Sequence, residues 1–193
     1  PFVDGILVDE EKFVIRTAIL EHRIPCLGFS LEEKNHVNIC KDQLKKMYYQ
    51  SGPWLNELKK CVCEGKLDGY LFGIPSTAKG IQKKTLGQLK KELVLVSPGQ
   101  KISYVVDTIY NEANKKRIID LTRGADILFC ESPFLAEEEI RGQERFHLTS
   151  RQAGIIAREA EVKKLNIFHI SGRHTSRTKQ LVQEAQEAFR GEL

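Results

Sequence analysis

Residues 125–174 alternate short apolar runs with polar boundary segments, and that alternation leaves the chain few ways to fold. ADILFC (125–130) has the length and composition of a buried strand, and LNIFHI (165–170) reads as a second. Between them ESPFLAEEEIRGQERFH (131–147) reads as a loop or broken helix, and LTSRQAGIIAREAEVKK (148–164) as a helix. Thr149 stands as its N-cap with Gln152 three residues on, a capping-box pattern. Ala153, Ile156, Ala157 and Ala160 recur at i, i+3, i+4 and i+7 and make its packing face. Strand, helix and strand in this order predict an α/β layering with chemistry at the strand exits. His147 and His169 fall at such boundaries, where a rigid scaffold presents side chains.

The flanking segments extend the same pattern. FVIRTAIL (Phe13–Leu20) reads as a strand, His22 follows it, Pro25 stops regular structure, and CLGFSLEE (Cys26–Glu33) reads as an antiparallel return. KISYVVD (101–107) is a strand ending on Asp107, and NEANKKRIIDLTRG (111–124) a helix stopped by Gly124. A last helix over 176–190 packs through Leu181, Val182, Ala185, Ala188 and Phe189. KDQLKKMYY (41–49) and PWLNELKKCVCEG (53–65) are short amphipathic helices, the second with Trp54, Leu55, Leu58 and Val62 on its apolar side. Residues 69–99 are broken by Gly73, Pro75, Gly80, Gly87 and Pro98, and no element is assigned within 67–100.

At 193 residues one domain is expected. No run approaches the ~18 apolar residues of a membrane span, and no charged start precedes an apolar leader. Five cysteines, odd in number and without paired metal spacing, read as reduced thiols of a cytoplasmic protein. The formal charge of +4 is unevenly placed: residues 34–101 hold 13 lysines, no arginine and five acids, a net +8. Such a stretch is either a set of solvated lysines or a surface for an anionic polymer. His22, Asp107, His147 and His169 all sit just after a strand or before a helix. Imidazoles with a carboxylate are the ligand set of a hydrolytic zinc site, but no close His-x-His or HExxH pair stands here, so residue types leave metal and structural roles both open.

Several segments together resemble the ribonuclease Z group of the metallo-β-lactamase superfamily. They are LEHRIPCLGFSLEEK (20–34), YVVDT (104–108), ADILFCESPF (125–134), HLTSRQAGIIAREA (147–160) and FHISGRHT (168–175). SGPWLNELKKCVCEGK resembles that group's basic projecting arm, placed here at about 36–66. The resemblance implies a metallo-β-lactamase-type αββα sandwich, of which this chain is the C-terminal half. It implies a zinc-dependent endoribonuclease acting on a tRNA precursor, with two zinc ions per complete site.

Residue by residue, the resemblance makes His22, Asp107 and His169 metal ligands, Asp107 bridging two zinc ions. Their donor atoms should then lie within roughly 5 Å of one another, zinc–ligand distances being about 2 Å. His147 matches the histidine that protonates the leaving oxygen, and Glu131 the acid that orients it. Cys130 before Glu131, with Ser132 and Pro133 after it, departs from the group's His-Glu-Ala pattern, and Val105-Val106 replaces Ser-Gly before Asp107. His174 is given no catalytic role. Arg173 is a candidate phosphate contact, and Lys45, Lys46, Lys59 and Lys60 of the arm are candidate tRNA-backbone contacts.

The group's main metal signature, His-x-His-x-Asp-His, is absent, and the chain opens on Pro1. The expectation is a missing N-terminal half carrying that motif, an isolated chain without activity, and a sheet face that seeks a mate, so that a homo-oligomer is expected. Two alternatives stay open: a metallo-β-lactamase-fold hydrolase of another substrate, and a non-catalytic RNA- or protein-binding module.

Overall fold

The computed structural model describes residues 5–192. In chain order, β1 (Ile6–Asp9), β2 (Phe13–Leu20) and β3 (Cys26–Glu33) precede β4 (His36–Ile39), α1 (Lys41–Lys46), α2 (Trp54–Cys63), β5 (Leu71–Ser76), β6 (Gly80–Thr85), α3 (Leu86–Leu93) and β7 (Val94–Ser97). The chain continues through β8 (Lys101–Val105), α4 (Glu112–Thr122), β9 (Ile127–Glu131), α5 (Glu139–Arg145), α6 (Ser150–Glu159), β10 (Leu165–Phe168) and α7 (Thr178–Arg190). Two 3₁₀ turns, Ala136–Glu138 and Gly172–Arg177, precede α5 and α7. Two compact units result: Asn35–Gly99, and the remainder.

The larger unit is a six-stranded sheet in the order β1-β2-β3-β8-β9-β10. Short turns keep β1, β2 and β3 antiparallel, and β8 joins β3 in the same sense. Helices intervene between β8 and β9 and between β9 and β10, long enough for the crossovers that parallel pairing requires, and these strands are parallel. Leu20, Val105, Ile118, Leu128, Ile156 and Ala185 meet in one core between the sheet and helices α4, α6 and α7. On the strands the alternate positions turn to the opposite face, where Ile19 stays 55% and Tyr104 44% exposed. Tyr104 stacks there on Phe168 with ring centroids 4.9 Å apart.

Helix α6 begins as its sequence dictates. Thr149 accepts from the Gln152 amide, and the Gln152 side chain accepts from the Thr149 amide. It ends at Glu159 instead of running to 164, because Glu161 turns left-handed (φ 55°) and the Val162 amide returns to the Ala157 carbonyl. Strand β10 stops at Phe168, and α7 starts at Thr178 after a 3₁₀ turn that occupies the expected first turn of that helix.

The smaller unit has its own core of Leu44, Tyr49, Trp54, Leu58, Leu86 and Leu89. Strands β4 and β7 pair as one ribbon, β5 and β6 as another. The segment left without elements is therefore a hairpin, a helix and a strand. Gly80 makes its turn at φ 66°, and Thr85 with Gln88 forms a capping box on α3. The helix expected over 41–49 ends at Lys46: Tyr48 adopts φ 56°, and Tyr49 turns into the core and bridges to Ser76. On α2, Trp54, Leu58 and also Cys61 are buried, while Leu55 and Val62 are half-buried. The arm expected at about 36–66 lies inside this unit. All five cysteines are free. Among the described residues no helix is long and apolar enough to cross a membrane.

Helices α6 and α7 cross at Gly154, where a Cβ would strike the Ala185 carbonyl and come within 2.6 Å of the Ala188 methyl. Alanine is normally worth about 1 kcal/mol over glycine inside a helix. Here the contact is with backbone that cannot step aside, so overpacking wins. Gly154→Ala should lower stability by about 1–3 kcal/mol, read as a reduced urea midpoint.

Candidate metal centre

Strands β8, β9 and β10 lie side by side in parallel, with Val105 opposite Cys130 and Glu131 opposite Phe168. Their carboxyl ends are thus level, the place where open α/β sheets present chemistry. Asp107 stands two residues beyond β8, Glu131 ends β9, and His169 follows β10. Asp107 (φ 41°) and His169 (φ 58°) both occupy the left-handed region, unusual for residues with a Cβ. That conformation bends the chain out of each strand at these residues.

His147 arrives by another route. Helix α5 closes with Phe146 left-handed at φ 63°, and the His147 amide returns to the Gly142 carbonyl. A Cβ on Gly142 would stand 3.1 Å from the His147 carbonyl oxygen, so the residue there has to be small.

One donor atom each from Asp107, Glu131, His147 and His169 lies within 4.8 Å of all the others. Glu131, its side chain fully buried, is the hub. Its Oε1 accepts from the Thr108 amide at 2.9 Å and the Leu148 amide at 3.4 Å. Its Oε2 stands 2.6 Å from His147 Nδ1 and 3.3 Å from His169 Nδ1. Burial pushes the Glu131 carboxyl up, but hydrogen bonds from His147, His169 and Thr108 together hold it below the usual carboxylate range. The Glu131 hydrogen bond raises His169 above an ordinary imidazole, against its partial desolvation. Because a carboxylate can only accept, His147 donates from Nδ1, and its Nε2 keeps the lone pair.

Two imidazoles and two carboxylates are donors suited to a divalent cation such as zinc. Asp107 Oδ1 adds an independent sign of fit: it is shut off from solvent and accepts no hydrogen bond, with His169 Nδ1 3.2 Å and His147 Nδ1 3.8 Å away. Of the expected ligands, Asp107 and His169 meet in this group, in company with Glu131 and His147. His22 falls outside it, its ring centroid 5.0 Å from that of His147. Its Nδ1 lies 2.8 Å from the Phe146 carbonyl, which only accepts, so here too Nε2 carries the lone pair a metal needs.

Arg173 lines a cleft of about 470 Å³ beside His22, His147 and His169. Arg23, Arg141 and Arg145 line it too, and sequence reasoning passed over them. The only signal was the i, i+4 spacing of the last two just ahead of His147. His174 is buried with Nε2 2.6 Å from Glu138 Oε2, a tie between the two 3₁₀ turns and not part of the cluster. In the smaller unit, Lys45 and Lys59 border a separate cleft with Lys41, Asn38 and Asn56. Lys60 lies 3.8 Å from Glu64, and Lys46 is exposed.

No family model matches the chain. It is 32% identical over 188 residues to the Ribonuclease Z of Bacillus mycoides (strain KBAB4), covering 96% of this chain and 55% of that protein. The Ribonuclease Z of Bacillus cereus (strain ZK / E33L) gives the same figures. Among solved structures, the metallo-β-lactamase fold protein YhfI from Bacillus subtilis superposes with a TM-score of 0.53 at 18% identity, over 97% of this chain and 46% of that one. The chain is a relative of ribonuclease Z, with the metallo-β-lactamase fold. It spans about half the length of the curated relatives it matches.

In this ribonuclease Z relative the loops bearing His22 and Asp107 are fastened together by one buried side chain. Asn114 accepts from the Glu21 amide at 3.0 Å and donates to the Glu21 carbonyl, Thr108 Oγ1 and the Ile109 carbonyl at 2.9–3.0 Å. The Ile109 amide adds a bond to the Glu21 carbonyl at 3.0 Å. Asn114→Ala strands these groups in a dry site and should cost about 1–3 kcal/mol or more in urea unfolding. Asn114→Asp, which keeps the acceptor and loses the donor, should recover only part of the loss.

Proposed function

We propose that this chain is the C-terminal half of a zinc-dependent endoribonuclease that cuts tRNA precursors at the 3′ end. The observation that carries the reading is the Glu131–His147 pair, set at the carboxyl ends of β8, β9 and β10 beside Asp107 and His169, on a cleft rimmed by arginines. Similarity to ribonuclease Z over nearly the whole chain supports the substrate class.

Glu131 holds the His147 ring by Nδ1, leaving Nε2 to carry a proton to the departing 3′ oxygen when the imidazole is protonated. His22, Asp107 and His169 would hold zinc, together with donors from a partner half bearing His-x-His-x-Asp-His. Zinc bound there supplies Lewis acidity and positive charge opposite the phosphodiester. The products are a 3′-hydroxyl on the tRNA and a 5′-phosphate on the trailer. Arg173 meets phosphate near the site, and Lys45, Lys46, Lys59 and Lys60 grip the tRNA backbone. The exposed apolar face of the six-stranded sheet receives the other half or a second copy, and the protein works in the cytoplasm.

In the completed enzyme His147→Ala should lower kcat roughly 10²–10⁴-fold with zinc content unchanged. The Asp107, Glu131, His147 and His169 group makes the second reading concrete: loss of zinc in this variant would make His147 a ligand and remove it as the acid.

Completeness is tested by zinc content and pre-tRNA cleavage of the purified chain. Two zinc ions need more donors than three residues offer. The chain alone should therefore bind zinc weakly, cleave negligibly and self-associate, and an added half carrying the missing motif should restore zinc and cleavage. Stoichiometric zinc with full turnover from a lone monomer would overturn the half-enzyme reading.

A further inference from the structure

Four guanidinium groups, those of Arg23, Arg141, Arg145 and Arg173, line the cleft beside the Asp107–Glu131–His147–His169 group, and no Asp or Glu is among its lining residues. Elsewhere in this unit some arginines find carboxylates, Arg123 with Asp120 at 3.6 Å, Arg177 with Glu137 at 2.9 Å and Arg190 with Glu192 at 2.7 Å, while among the described residues Arg117, Arg151 and Arg158 stand scattered without one. Among the described residues the four cleft arginines have no ion-pair partner. Arg141 Nε is in addition sealed from solvent without a hydrogen-bond partner, a donor that costs free energy until an acceptor reaches it.

Arg141 and Arg145 are four residues apart on α5, so they share a face about 6 Å apart along the axis. Like charges at that spacing weaken a short helix, a local cost that an anionic ligand would reverse. The same helix runs through left-handed Phe146 directly into His147, so Arg141 and Arg145 leave the chain six and two residues ahead of the proposed acid. A single phosphate would neutralise only a fraction of the charge gathered here. A phosphodiester chain brings one anion per nucleotide, in a repeat that separate guanidinium forks can each engage.

We propose that Arg141 and Arg145 form a subsite for the phosphates flanking the reacting one, so that the cleft selects a polynucleotide strand over an isolated phosphate ester. This rests on the phosphodiesterase reading above and gives Arg141 and Arg145 a role that reading did not assign.

The test is the salt dependence of binding between the 193-residue chain and a fluorescent single-stranded oligoribonucleotide, followed by anisotropy from about 50 to 200 mM salt. Each phosphate contact contributes about 0.7 to the slope of log K against log salt for single strands. R141Q/R145Q should therefore flatten the slope by about 1.4. R145Q alone, at an exposed position that does not threaten folding, should flatten it by about 0.7. R190Q, which removes a cation already paired with Glu192, should leave it unchanged. Slopes unaltered in both R145Q and the double variant would overturn the proposal. So would polyglutamate competing as well as the oligonucleotide, since the subsite would then read charge and not phosphate. The assay needs neither zinc nor the other half. A flattened slope in a protein that never cleaves pre-tRNA, even with a half carrying His-x-His-x-Asp-His added, would retain the subsite and sink the endonuclease reading, and cleavage by that completed enzyme with unchanged slopes would do the reverse.

Discussion

A charged carboxylate with no exposed surface is the constraint on which the larger unit turns. An ionised Glu131 is tolerable in the interior only if its lone pairs are met. They are met from four places: the Thr108 amide beyond β8, the Leu148 amide ahead of α6, the His147 ring and the His169 ring beyond β10. Each partner sits on a different segment, so satisfying one side chain sets the relative position of three strand ends and a helix start. The linkage has two signs. Glu131, depressed on folding, contributes stability that is present above the ordinary carboxyl range and lost as pH falls through its lower folded value. His169, raised on folding, contributes stability present below the ordinary imidazole range and lost as pH rises through its higher folded value. In the metal-free chain the two act together only between those limits.

Backbone strain gathers at the same place. Of the described non-glycine residues with positive φ, Asp107, Phe146 and His169 are all at or next to this cluster. Each such conformation costs on the order of 1–3 kcal/mol unless its surroundings dictate it. The dictating contacts are visible: Asn114 pins the loop of Asp107 to that of His22, the Gly142 carbonyl holds His147, and the Ser132 amide bonds to the Phe168 carbonyl just before His169. The conformations free Asp107 and His169 from the strand pleat, which would otherwise send alternate side chains to opposite faces of the sheet.

The legible part of this architecture was the part written in periodicity and caps. Strands Phe13–Leu20 and Cys26–Glu33 stand as read, because alternation and a following Pro25 are local signals. The Thr149–Gln152 box marked the start of α6 for the same reason. What escaped was set by contacts distant in sequence. Gly154 looks like a weak point in a helix until Ala185 is placed against it. Strand β6 carries Lys83 and Lys84 and has no buried residue, and in β5 Gly73 and Pro75 fall between the buried Phe72, Ile74 and Ser76. The left-handed turns fall on Asp107, Phe146, Glu161 and His169, where no glycine announces them. Asp107, His147 and His169 stood out as candidates because histidines at strand exits are chemically conspicuous, and the structure brings them together. That Glu131 and His147 join the donor group while His22 stays outside it depended on distances no spacing rule encodes.

All eleven arginines lie outside Asn35–Gly99, and four of them line one cleft. Asn35–Gly99 holds eleven lysines and no arginine against five acids, and the cleft beside the Asp107–Glu131–His147–His169 group is lined by arginines and no lysine. A lysine ammonium is a hydrated point charge on a flexible stem, which attracts a polyanion without fixing its orientation. A guanidinium is a planar fork that fixes a phosphate relative to its neighbours, at the cost of being hard to neutralise by anything else. On the reading proposed here, the first kind of cation gathers and holds RNA over many arrangements, and the second admits few. Exchanging the two would keep the net charge and the attraction, but lose the fixed distance between a bound phosphate and His147 on which proton transfer to one particular oxygen depends.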